Sequence, residues 1–152
     1  MDKVKESQQV DGVLTQPLEQ IKDGRGSVLH MIRCDTVLFK KFGEIYPDKV
    51  KVWKRHKEQD QNLAIPVGSI KLVIYYDRLK SSAQGNLEKF KIGRPNNYTL
   101  THTPCMLCYG FQSLIKQAFL IANCADLSCT SEKIEALPKN TDQIPYQRNT
   151  IK

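Results

Sequence analysis

The sequence predicts an all-β protein, a sandwich or barrel of short strands, on three observations. Apolar residues recur at period two or in short unbroken runs, Gly, Pro, Asn and Asp break these runs at close intervals, and leucine-rich helical periodicity is nearly absent. At 152 residues, 40% of them hydrophobic and 26% charged, the chain is long enough to form one domain around a real core.

Each element follows from its own pattern. Residues 1–11 are polar and are expected to form a mobile N-terminal segment. The turn Asp23-Gly24-Arg25-Gly26 precedes a strand over Val28–Ile32, and Gly43–Tyr46 opens another. From Lys49 to Trp53 bases alternate with apolar residues, the period of a half-buried strand. Leu63–Val67 is a short strand that runs into Gly68. Ile70–Tyr76 is almost continuously apolar, which predicts a strand buried on both faces. A polar loop, Asp77–Asn86, leads to the alternating run Leu87–Ile92, and Gly93–Asn97 forms a turn. Strands follow over Tyr98–Thr103, Cys105–Phe111 and Ala118–Asn123. Ser113–Leu120 has room for one helical turn, but continuation of a strand is the favoured reading. From Ala136 the chain carries Pro138, Asn140 and Pro145 without an apolar run. This predicts an extended C-terminal arm over 136–152, suited to packing on a neighbour, beyond a barrel of residues 12–135.

Charge and cysteine usage narrow the function. A formal charge of +7 suits a phosphate-bearing small molecule. The lysines are scattered, with neither an aromatic-basic stripe nor zinc-finger spacing, so nucleic acid is not an expected partner. No apolar run approaches the roughly 18 residues that span a bilayer, and the first residues lack an apolar signal core; no membrane partner and a cytoplasmic location are expected. There are five cysteines, Cys34, Cys105, Cys108, Cys124 and Cys129, an odd number that argues against a disulfide framework. Their spacing permits a four-thiolate zinc site, but Cys105 and Cys108 sit among Met106 and Leu107 and read better as small buried hydrophobes.

The stretch Val50–Gln59 carries most of the chemistry. It sets Trp53, the bases Lys51 and Lys54, and His56 along one strand, the way a small barrel builds a ligand mouth. Lys54 and His56, two residues apart, share a face. A metal-binding His-x-His pair is interrupted by Lys54, which leaves His30, His56 and His102 as the only histidines, so neither metal nor cofactor is expected.

A larger pattern now appears in order: Asp23-x-Arg25-Gly26, Lys51-x-Trp53-x-x-His56, Gly68 before a strand ending Tyr76-Asp77-Arg78, Pro104, Gly110-Phe111 and Ile144-Pro145-Tyr146. Over residues 12–147 the chain resembles the dTDP-4-dehydrorhamnose 3,5-epimerase family, sugar-nucleotide epimerases with a cupin-like jelly-roll β-barrel. The resemblance implies a homodimer that needs no metal and moves protons next to a sugar ketone. By the resemblance Lys54 falls where the family has its general-base histidine, with His56 on the same face, and Tyr109 falls where a histidine precedes Gly-Phe. These are the candidate catalytic residues. Arg25 resembles an arginine that meets the nucleotide diphosphate, Lys51 a base facing the ligand, and His30 lies near a ligand-contacting carboxylate position. The family's acid tyrosine on the strand after Gly-Phe has no counterpart in Leu120–Asn123. Each residue also has a plainer reading: a turn-bonding arginine, an exposed strand lysine, a hydrogen-bonded barrel histidine. Two functions therefore stand side by side. One is an epimerase or isomerase acting on a nucleotide-linked 4-keto-6-deoxy sugar in the supply of surface polysaccharide. The other is a protein that binds a nucleotide sugar without a base to turn it over.

Overall fold

A computed structural model describes residues 12–29, 39–46, 50–126 and 131–146. The N-terminal segment 1–11, His30 and the end of the C-terminal arm (147–152) lie outside them. Twelve strands are present among the described residues: β1 (Leu14–Pro17), β2 (Gln20–Asp23), β3 (Gly26–Leu29), β4 (Phe39–Ile45), β5 (Val50–His56), β6 (Gln61–Val67), β7 (Ser69–Tyr75), β8 (Leu87–Gly93), β9 (Thr99–Thr103), β10 (Cys108–Ser113), β11 (Phe119–Ala125) and β12 (Ile134–Ala136). The only helical piece among the described residues is a 3-10 turn at Ser131–Lys133.

Two five-stranded antiparallel sheets face each other, in the orders β1-β9-β6-β11-β4 and β12-β5-β10-β7-β8, and β2 pairs with β3 as a separate hairpin. Strands distant in sequence lie side by side in both sheets, as in a jelly-roll barrel. The space between the sheets is filled by Ile65, Ile70, Leu72, Ile74, Leu107 and Phe119, all at most 1% exposed. The predicted double burial of the Ile70–Tyr76 run is seen in β7, which lies inside its sheet between β10 and β8. Ser113–Leu120 forms neither a helical turn nor a continuous strand. β10 stops at Ser113, where the Ser113 hydroxyl closes a tight turn by accepting the amide of Ile115 at 3.2 Å, and β11 starts at Phe119.

Two devices shape the wall that carries the site. The first is a register shift. Tyr109 of β10 stands opposite Lys54 of β5, and Phe111 stands opposite Lys51, so three steps along β5 match two along β10. Simple alternation would turn Lys51 and Lys54 to opposite faces; this β-bulge brings both to the inside. The second is Gly110, which sits within the shift. A Cβ there would fall 2.4 Å from Val52 Cγ1 and 3.1 Å from the Lys51 carbonyl oxygen, so only glycine lets the strands approach.

The bulge also turns Trp53 away from the interior. Expected at a ligand mouth, it lies instead on the outer face of its sheet, 2% exposed, in a second apolar cluster with Val73, Cys108 and Ile144. The chain after β12 covers that face. Leu137 exchanges backbone hydrogen bonds with Trp53 (3.0 and 3.4 Å), and Tyr146 sets its ring edge-on to the indole at 5.7 Å. Leu137 and Tyr146 therefore pack on their own barrel, just beyond β12, which pairs with β5.

Arg55 on the same outer face pairs through Nη2 with Asp77 and through Nη1 with Glu135 at 3.1 Å. Arg55→Ala would leave the Asp77 carboxylate, only 15% exposed, without its cation. Because both side chains keep some access to water, the expected loss is about 2–3 kcal/mol, read as a lower urea midpoint at unchanged slope.

Candidate active site

Between the two sheets lies a cavity of about 300 Å³. Sheet β12-β5-β10-β7-β8 contributes Lys51, Lys54 and His56 from β5 and Tyr109 and Phe111 from β10. The facing sheet contributes Ile45, Gln61, Leu63, Ile121, Asn123 and Ala125, and Gln59 comes from the β5–β6 turn. Four of the six candidate residues, Lys51, Lys54, His56 and Tyr109, thus meet in one cavity. His30 lies outside the described residues. Arg25 does not line the cavity: it occupies the β2–β3 turn with its guanidinium on the Asp23 carboxylate at 2.9 Å. That contact and a second bond, from the Arg25 amide, hold the Asp23 carboxyl below the usual carboxylate range.

The geometry divides the four residues into two pairs. His56 and Tyr109 are buried, at 9% and 7% exposure, with Nε2 3.0 Å from the phenol oxygen and their rings nearly parallel. The strand register explains this meeting: Lys54 is opposite Tyr109, and His56, one pleat further along β5, points to the same side. Imidazole and phenol at hydrogen-bond distance can hold a proton between them, and each can accept or return one at a bound carbon or oxygen. Lys51 and Lys54 are exposed and bring two ammonium groups to the rim. No Asp or Glu is among the described lining residues. The cavity is thus suited to an anion, either a phosphate at the rim or an enolate oxygen formed inside.

Burial distinguishes His56 from Lys54. The imidazole is enclosed and oriented by its Tyr109 partner, whereas Lys54 is exposed. His102, on β9, is held by Asn62 at 2.8 Å and lies 3.6 Å from Asp60, away from the cavity.

The amides Gln59, Gln61 and Asn123 were not singled out from sequence. A signal was present: Gln61 opens an otherwise apolar inward run, and Asn123 interrupts the apolar strand Phe119–Ala125. For the cysteines, Cys105 and Cys108 are free thiols, Cys124 is buried in β11, and Cys34 and Cys129 lie outside the described residues. Burial pushes the Cys108 thiol up despite the neighbouring Arg55 guanidinium. Among the described residues no group of three or more His, Cys, Asp and Glu stands close enough to hold a metal ion, and no helix is long and apolar enough to cross a membrane.

Comparison with known proteins was made by sequence and by shape. The chain is 30% identical over 121 residues to a probable low-salt glycan biosynthesis epimerase of Haloferax volcanii, covering 75% of this chain and 77% of the relative. It is 25% identical over 148 residues to the spore coat polysaccharide biosynthesis protein SpsL of Bacillus subtilis, covering 93% and 97%. The crystal structure of a dTDP sugar isomerase from Desulfovibrio desulfuricans superposes with a TM-score of 0.87 at 37% identity, over 91% of each chain. A dTDP-4-dehydrorhamnose 3,5-epimerase from Bacillus anthracis, solved with TDP and PPi bound, shares the fold at a TM-score of 0.79 and 14% identity, over 95% of this chain and 88% of that one. No family profile matches the chain.

Proposed function

Because the chain belongs to the dTDP-4-dehydrorhamnose 3,5-epimerase family, we propose that its cavity binds a nucleotide-linked 4-keto-6-deoxy sugar and epimerises or isomerises it by proton transfer next to the ketone. The observation that carries the reading is the enclosed His56–Tyr109 pair on a wall that also presents two lysines.

The chemistry follows from the groups present. The C4 carbonyl acidifies the hydrogens on C3 and C5. His56 removes one as general base, and the electrons left on carbon move onto the carbonyl oxygen as an enolate. Tyr109 and the rim ammonium groups stabilise that oxygen by hydrogen bonding and charge. A solvent-derived proton delivered to the opposite face of that carbon collapses the enolate to the epimer, and His56 gives up the proton it took to solvent, which returns the site to its starting state. Phe111, Leu63 and Ile121 make the surrounding surface apolar, which keeps these interactions from being screened by water. Lys54 serves as a cation, and Lys51 continues that charge toward the exit for the diphosphate.

Arg25 stays outside this set. For it to meet a phosphate, the β2–β3 hairpin of one copy must reach the cavity of another, which a homodimer permits. Sedimentation at the mass of a single chain, with activity retained, would remove both the dimer and that role for Arg25.

The direct assay is incubation with dTDP-4-keto-6-deoxyglucose, followed by proton NMR. Loss of the substrate sugar spin system and growth of an isomeric one, at the same rate after EDTA and desalting, is the expected outcome. Binding of the nucleotide sugar with no turnover would make the protein a binder. A rate that collapses on chelation and returns with added zinc, manganese or iron would contradict a metal-free mechanism.

A further inference from the structure

The wall facing His56 and Tyr109 carries a chain of amides that the proton-transfer chemistry leaves unused. Gln61 Nε2 donates to Gln59 Oε1 at 2.7 Å, and Asn123 Nδ2 donates to Gln61 Oε1. Gln59 and Gln61 are 5% and 1% exposed, and all three residues line the cavity. Asn123 Oδ1 is buried and has no hydrogen-bond partner among the described residues. Its strand neighbours along the cavity, Ile121 and Ala125, are apolar.

Two buried amides, Gln59 and Gln61, and the buried Oδ1 of the half-buried Asn123 are costly beside aliphatic side chains unless their polar atoms are met, and among the described residues one acceptor is not. Amides differ in kind from the groups opposite them. They are neutral at every working pH, so they do not compete with the lysines for an anion or with His56 for a proton. Each offers a donor and an acceptor, the pattern that matches an alcohol. Resting on the nucleotide-sugar reading above, we propose that Gln61 and Asn123, braced by Gln59, are the specificity-determining residues for the sugar: they hydrogen-bond its ring hydroxyls, with Asn123 Oδ1 accepting one, and so press the opposite side of the ring toward His56 and Tyr109. The cavity thereby divides its work. Ammonium groups at the rim hold the phosphates, the amide wall reads the hydroxyls, and the imidazole-phenol wall moves the proton. A ligand that lacks the sugar gains nothing from the amides.

Calorimetric titration with dTDP and with dTDP-glucose tests this division, using the wild-type chain and Asn123→Leu, a swap of similar volume that deletes the amide. The wild type is expected to bind dTDP-glucose more tightly than dTDP. Asn123→Leu is expected to bind dTDP within about twofold of wild type and to bind dTDP-glucose about tenfold more weakly, the loss of one hydrogen bond. Should Asn123→Leu not fold, Gln61→Met carries the same expectation. Equal loss of both ligands would show a merely structural amide chain and overturn the proposal, as would unchanged binding of both. A wild type that binds dTDP and dTDP-glucose equally also overturns the amide assignment while leaving the nucleotide site standing. A wild type that binds neither overturns the nucleotide-sugar reading and this proposal with it.

Discussion

Replacing His56 with asparagine is expected to lower turnover of the 4-keto sugar nucleotide by about a thousandfold while leaving nucleotide binding within a fewfold of wild type. A positioned general base contributes roughly a hundredfold to ten-thousandfold, and His56 is the enclosed imidazole in the cavity wall to which the proposed function gives that role. Asparagine can still meet the Tyr109 hydroxyl, so the pair is not left with an unmatched phenol. Lys54→Ala separates the two candidates. If Lys54 acts as a cation at the rim, its loss raises KM and lowers kcat about tenfold, well short of the His56 effect. The reverse ranking would move the base to Lys54, the position that the family resemblance points to.

Gly110→Ala is the second large effect and acts on structure. The new methyl would meet Val52 Cγ1 at 2.4 Å, and the two strands cannot separate without opening the β5–β10 ladder. The expected cost is about 2–3 kcal/mol, in the upper part of the range for overpacking a close contact. It is read as a fall in melting temperature, and the same strand separation would pull Lys51 out of line with Lys54 and reduce turnover in the fraction that remains folded. A variant with wild-type stability and turnover would show that the bulge tolerates a side chain.

How far the fold was legible depends on which physical signal each part carries. β7 and β8 announce themselves because burial dictates hydrophobic pattern, and both lie where it was placed. The end of β10 was harder, because Ser113 closes its turn with its own hydroxyl and no Gly or Pro marks the break. Trp53 misleads for a related reason. Period-two counting holds only while register holds, and the bulge opposite Gly110 reverses the faces, bringing Lys51 and Lys54 to one side and the indole to the other. The bulge depends on a close approach between strands far apart in sequence, so Gly110 alone could not disclose it. The His56–Tyr109 meeting shows what order and resemblance can do: 53 residues separate the two, and only strand pairing joins them. The amide chain was legible only as polar residues out of place in apolar strands.

The central claim is that His56 takes a proton from carbon beside the ketone, and solvent isotope exchange tests it most directly. The protein is incubated with dTDP-4-keto-6-deoxyglucose in D2O, with His56→Asn and a protein-free sample in parallel, and deuterium at C3 and C5 is followed by NMR and mass. The prediction is label at one or both carbons with the wild type, and label slowed about a thousandfold with His56→Asn. Wild-type label no faster than the protein-free control would contradict proton transfer at this site, and equal labelling by wild type and His56→Asn would take the base role away from His56.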